Sequence, residues 1–148
     1  MNKYSTEKKY CYKYPRVATT VDAAVIIENR ILLIKRGNEP FKDKWALPGG
    51  FVETDETLLE AAKRELEEET GVEINDLQQF RTYDAINRDP RHRTISTVFL
   101  SVDSSDRILE LNAGDDAAEA LWWNINALPQ LAFDHQKIVN DILFYLKV

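Results

Sequence analysis

An α+β sandwich is the fold class that this sequence predicts. Apolar, β-branched segments at residues 17–27, 31–35, 74–83, 94–102 and 119–123 are separated by polar turns. A carboxylate-rich amphipathic helix interrupts them after residue 57, and a second amphipathic helix closes the chain. Strands around one helix, with another helix at the end, bury their apolar faces best as stacked layers.

The elements follow in order. Residues 17–27 (VATTVDAAVII) read as a strand, 28–30 as a tight turn and 31–35 (ILLIK) as the returning strand of a hairpin. A polar loop, 36–44, leads to the short apolar segment 45–47 and then to Pro48-Gly49-Gly50. Thr57 and Glu60 have the spacing of a capping box, and Gly71 is placed to end that helix. Two further strands enclose a basic loop at 87–93, and residues 119–123 supply one more. Asp134 is expected to cap the last helix, which turns Ile138, Val139, Ile142, Leu143 and Leu146 inward.

The chain's 148 residues suffice for one domain with a real core. We expect a single domain over 1–148, with 1–15 as an N-terminal extension. Nineteen Lys and Arg against 25 Asp and Glu leave a net charge of −6, which argues against a general nucleic-acid binder. The lone Cys11 allows no internal disulfide, so a reducing cytoplasm is expected. The polar N-terminus lacks a signal peptide's apolar centre, and no apolar run approaches the ~20 residues of a membrane span.

Chemistry concentrates between residues 50 and 72, GFVETDETLLEAAKRELEEETGV. At about 100° per residue, Glu65, Glu68 and Glu69 share one arc with Ala61, beside a core-facing arc of Leu58, Leu59, Ala62 and Leu66. Glu60–Arg64 and Arg64–Glu68 have the spacing of solvated ion pairs. Three crowded carboxylates also suit a hard divalent cation, Mg²⁺ or Mn²⁺.

The complete pattern is more specific. Gly50, Glu56, Arg64, Glu65, Leu66, Glu68, Glu69, Gly71 and Val72 meet every fixed position of the signature that this stretch resembles, that of the Nudix hydrolases. The one nearby departure is Asp55, where many relatives carry glycine. The resemblance implies a Nudix-type α/β/α sandwich with a mixed sheet and a metal-dependent hydrolase of nucleoside diphosphates linked to another moiety. Carried over, it makes Glu65, Glu68 and Glu69 metal ligands, joined by the carbonyl of Gly49 or Gly50. Arg64 and Glu56 become a supporting pair. The base is a signature glutamate such as Glu65 or an outside acid: Glu119 first, then Asp115 and Asp116.

Residues 21–22, 35–41, 45–52, 88–91, 114–117 and 131–135 resemble a branch with ADP-ribose pyrophosphatases and sensor domains of NAD-metabolism regulators. That implies a nucleotide-derived substrate, ADP-ribose, cut to AMP and ribose 5-phosphate. Arg36, Arg88, Arg91 and Arg93 are candidate phosphate or ribose contacts, since the guanidinium fork matches phosphate oxygens. Trp45 and Phe51 are candidates to stack on the base. A sensing domain without catalysis, or a hydrolase of nucleoside triphosphates or dinucleoside polyphosphates, is the alternative. Regulators carry a further DNA-binding domain, for which no sequence follows Val148. Tyr4, Tyr10, Tyr12 and Tyr14 suggest a homodimer paired through the N-terminal segment.

Overall fold

The computed structural model describes residues 10–104, 109–114 and 116–148. Tyr4 and Asp115, both singled out above, lie outside them. Strands β1 (Ala18–Ile27) and β2 (Arg30–Arg36) form the expected hairpin, with Glu28 at φ 53° in the turn. Their pairing is limited to Ile26–Ile31 and Ile27–Arg30, next to the turn. Farther along, β2 pairs with β3 (Trp45–Ala46) and β1 with β4 (Gly49–Phe51). The opened hairpin thus receives residues 45–51 between its arms. The sequence predicts no strand at Gly49–Phe51, because a Pro-Gly-Gly run reads as a turn. Pairing with β1 extends that backbone.

Helix α1 (Leu58–Thr70) begins with the expected capping box: Thr57 accepts from the Glu60 amide, and the Glu60 side chain accepts from the Thr57 amide. Gly71 ends it at φ 74°, a left-handed conformation that favours glycine. Strand β5 (Gln78–Tyr83) is shorter than predicted. Ile74 and Leu77 precede it as loop residues and are still buried, so their apolar character reports burial and not strand. β6 (Thr94–Asp103) runs parallel to β1 along its whole length, which makes the sheet mixed. β7 (Ala117–Asn124) pairs antiparallel with β2.

Helix α2 (His135–Leu146) starts where expected, but Asp134 makes no side-chain cap. Its carboxylate is held by Arg88 instead.

Both faces of the sheet are covered. Val21, Ala23, Val25 and Leu32 pack with Ala61, Ala62 and Leu66 of α1. Ala24, Ile26, Ile31 and Leu33 pack with Ile138, Val139 and Ile142 of α2. The alternation along β1 and β2 is the two-residue period of a strand, here apolar on both sides. Among the described residues, no helix is long and apolar enough to cross a membrane.

Candidate active site

The site is built where β4 lies beside β1 and α1 runs past them. Asp22 is opposite Gly49 and Val21 opposite Gly50 in the ladder. The Gly49 amide donates to Glu69 Oε2 at 3.0 Å. A Cβ on Gly50 would stand 2.5 Å from Glu65 Oε1. Only glycine lets the helix carboxylate lie this close to the strand.

Arg64 fixes the joint between the loop and α1. Its Nε and Nη2 donate to Glu56 at 2.8 and 2.5 Å, Nη2 also to the Phe51 carbonyl at 3.1 Å. Nη1 donates to Glu65 at 2.7 Å and to Glu68 at 3.2 Å. Glu56 in turn accepts from the Glu53 amide. Hydrogen bonding to Glu56, against the opposing effect of burial, holds the guanidinium pKa far above its ordinary value.

These residues border a cleft of about 270 Å³. Its acidic lining is Asp22, Glu39, Glu65, Glu69, Asp89 and Asp116, and its basic lining is Arg36, Arg88 and Arg91. Glu69 is only 6% exposed. Burial pushes its pKa well up; the Gly49 amide opposes this, and Glu65, Asp22 and Asp116 add to it. Arg88 is forked onto Asp134 at 2.9 and 2.7 Å. Burial works against its charge, and Asp134 more than offsets that, leaving its pKa raised. Arg91 grips Asp89 at 3.1 and 2.8 Å.

A second buried network supports the floor. His135 Nδ1 accepts the Leu47 amide at 3.0 Å, so the proton of the neutral ring sits on Nε2, 3.5 Å from Asp22 Oδ1. Burial lowers the imidazole pKa and keeps this neutral form. Asp22 Oδ2 accepts from Ser96 at 2.5 Å.

Glu65, Glu69, Gly49, Arg36, Arg88, Arg91 and Phe51 are therefore brought together at the cleft. Of the other described candidates, Gly50 and Asp116 line it too, and Glu119, Trp45, Arg93 and Glu68 do not. Glu119 faces away, 3.6 Å from Lys35, with its side chain 51% exposed. It stands in register with Lys35 on the paired strands, so both side chains project from one face of the ladder. Asp116, bonded to Asn38 at 3.1 Å, is the downstream acid that lines the cleft. Trp45 packs edge-on against Trp123 at 5.1 Å, partly buried against the core beneath α2, and does not line the cleft. Arg93 is turned to the carbonyl of Asp84 at 2.7 Å. Glu68 is held by Arg64 beside the cleft. Sequence reasoning assigned no role at the site to Asp22 or Phe133. A charged residue inside the apolar strand VATTVDAAVII was the available signal for Asp22.

Among the described residues, no three metal-binding side chains stand preassembled around one point. Arg64 occupies Glu65 and Glu68. The donor set nonetheless fits a hard divalent cation: it is all oxygen, and the crowding of Glu65, Asp22 and Asp116 on buried Glu69 calls for positive charge.

The model of the NUDIX domain matches residues 17–142. An ADP-ribose pyrophosphatase of Methanocaldococcus jannaschii is 50% identical over 138 residues, 92% of this chain and 78% of that protein. A crystal structure of a bifunctional NMN adenylyltransferase/ADP ribose pyrophosphatase from Francisella tularensis, complexed with AMP and Mn ion, superimposes with TM-score 0.81 at 38% identity. It is matched over 90% of this chain and 43% of that one. The NUDIX domain of Shewanella oneidensis NrtR, complexed with ADP ribose, gives TM-score 0.84 at 25% identity over 97% of this chain and 94% of that one. With the signature loop and helix folded against β1 as described, this chain belongs to the Nudix family.

Proposed function

We propose that this protein is a metal-dependent pyrophosphohydrolase that cleaves ADP-ribose to AMP and ribose 5-phosphate. The observation that carries the reading is the division of one cleft into carboxylates and arginines. A diphosphate needs cations on its oxygens, and a divalent ion needs carboxylates. The choice of ADP-ribose is supported by the identity to the Methanocaldococcus pyrophosphatase.

Glu65, Glu69 and the Gly49 carbonyl would hold Mg²⁺ or Mn²⁺, with Glu68 recruited from Arg64. When bound, the ion neutralises diphosphate charge and acidifies water. Water adds to one phosphorus, the bridging P–O bond breaks, and the departing phosphate keeps the electron pair. Glu65 and Asp116 are the candidate acceptors for the water's proton. Arg36, Arg88 and Arg91 hold the diphosphate oxygens, and Arg64 with Glu56 keeps Glu65 in place. Phe51 is the remaining candidate for an aromatic contact.

A panel of ADP-ribose, nucleoside triphosphates and dinucleoside polyphosphates with Mg²⁺, followed by product analysis, tests this. ADP-ribose should show the highest kcat/KM and yield AMP. A triphosphate preferred tenfold would move the assignment to another Nudix specificity. Tight binding of ADP-ribose without turnover would make the chain a sensor, the reading that its likeness to the NrtR domain favours. We place the protein in the cytoplasm as a single-domain homodimer. Exposure of Tyr10, Tyr12 and Tyr14 at 66%, 53% and 69% supports pairing through the N-terminal segment. A scattering mass of one chain at micromolar concentration rules the dimer out.

A further inference from the structure

Phe133 stands in the loop between β7 and α2 with φ at 51°, a backbone region that bulky residues rarely adopt. Strain of this sort persists only where the surroundings enforce it, and it gathers at binding sites. Phe41 is in the same region, at φ 59°. The two rings pack at 4.8 Å between centroids, so two strained aromatics brace each other.

The Phe133 ring borders the cleft. The guanidinium carbon of Arg36 lies 4.9 Å from its centre and that of Arg91 5.8 Å. Both fall within the ~6 Å reach of a cation–π contact. Each arginine has a separate anchor along one edge. Arg36 Nε donates to the Pro40 carbonyl at 2.7 Å, and Arg91 is forked onto Asp89. Arg91 also lies 5.3 Å from the centre of the Phe51 ring, so it is held between two aromatic faces, and Phe133 is the face that it shares with Arg36. Burial, and then the charge of Arg91, lower the Arg36 pKa, so the pair repels in a half-dry cleft. An anion carrying more than one negative charge relieves that repulsion.

We propose that Phe133 is a positioning residue that holds Arg36 and Arg91 as a two-cation seat for the diphosphate of the substrate. The inference rests on reading the cleft as a nucleoside diphosphate site. It does not depend on ADP-ribose in particular.

Phe133→Leu keeps apolar bulk and the same backbone strain but removes the π face, and Phe133→Tyr keeps the face. Binding of ADP and AMP is measured by calorimetry in EDTA, so that the arginines are read without metal. The wild type should prefer ADP. F133L should lose about tenfold in ADP affinity, the size of one or two cation–π contacts, and little in AMP affinity. With Mg²⁺, its KM should rise by a similar factor while kcat falls less than about threefold. F133Y should restore both. If F133L does not fold by circular dichroism, Phe133→Met carries the same comparison.

The proposal is overturned by a wild type without ADP preference or by F133L retaining it. Equal losses for ADP and AMP, or F133Y behaving like F133L, overturn it too. A wild type that does not cleave ADP-ribose, but whose ADP preference vanishes in F133L, removes the substrate reading and leaves Phe133 in its role.

Discussion

Replacing Arg64 by alanine should destabilise the fold by about 3–4 kcal/mol at pH 7 and make that loss depend on pH. Arg64 joins Glu56, Glu65 and Glu68, whose side chains are 11%, 15% and 26% exposed. Charge-assisted hydrogen bonds contribute roughly 1.5–3 kcal/mol each, and they are not additive. Orphaning a buried ion partner costs about 3–5 kcal/mol. The cleft is open to water on one side, so the lower part of that range applies. For a chain of this length the melting temperature should fall by about 10 °C. The sign of the pH effect follows from the three carboxylates. Without Arg64 they repel, so the folded state binds protons more readily than the unfolded chain. Stability of the variant is then gained as pH falls, and the gap to the wild type narrows. Urea denaturation of both proteins at pH 7 and pH 5, followed by circular dichroism, measures it. Added Mg²⁺ should narrow the gap as well. A loss below about 1 kcal/mol, or a gap independent of pH, would refute the view that Arg64 holds this cluster together.

Glu69→Gln, like excess EDTA, should abolish most turnover, with kcat down at least ~10²-fold, because the cation site loses charge; near-normal rates in EDTA would defeat the metal reading. Gly50→Ala should leave the melting temperature almost unchanged and lower kcat, since the added Cβ meets only the movable end of Glu65. Arg88→Ala should raise KM and also cost about 3–5 kcal/mol, because the Arg88 side chain is 4% exposed and Asp134 would be left unpaired. A variant as stable as the wild type would make Arg88 a ligand contact alone.

What the sequence made legible follows from how locally each feature is specified. The capping box and Gly71 lie within one helix, so α1 was bounded correctly from spacing alone. Glu65 and Glu69 were placed by helical periodicity, and the fold adds only the strand they lean on. The residues whose surroundings the local pattern did not indicate depend on partners far along the chain. Asp134 resembles a helix cap, yet Arg88, 46 residues earlier, claims its carboxylate. Glu119 stands near the right acidic turn, but register against β2 sends it to Lys35 and leaves Asp116 in the cleft. Trp45 precedes the Pro-Gly-Gly turn in sequence and packs under the opposite helix in space. Phe133 carries no periodic signal, because its position arises from contact with the end of β2, the loop that follows it and the loop before β6, through Arg36, Phe41 and Arg91. The carboxylate side of the cleft was therefore readable where one helix carries it, as Glu65 and Glu69. The arginine side is assembled from the end of β2 and the loop before β6, so its geometry is set by packing that no local pattern encodes.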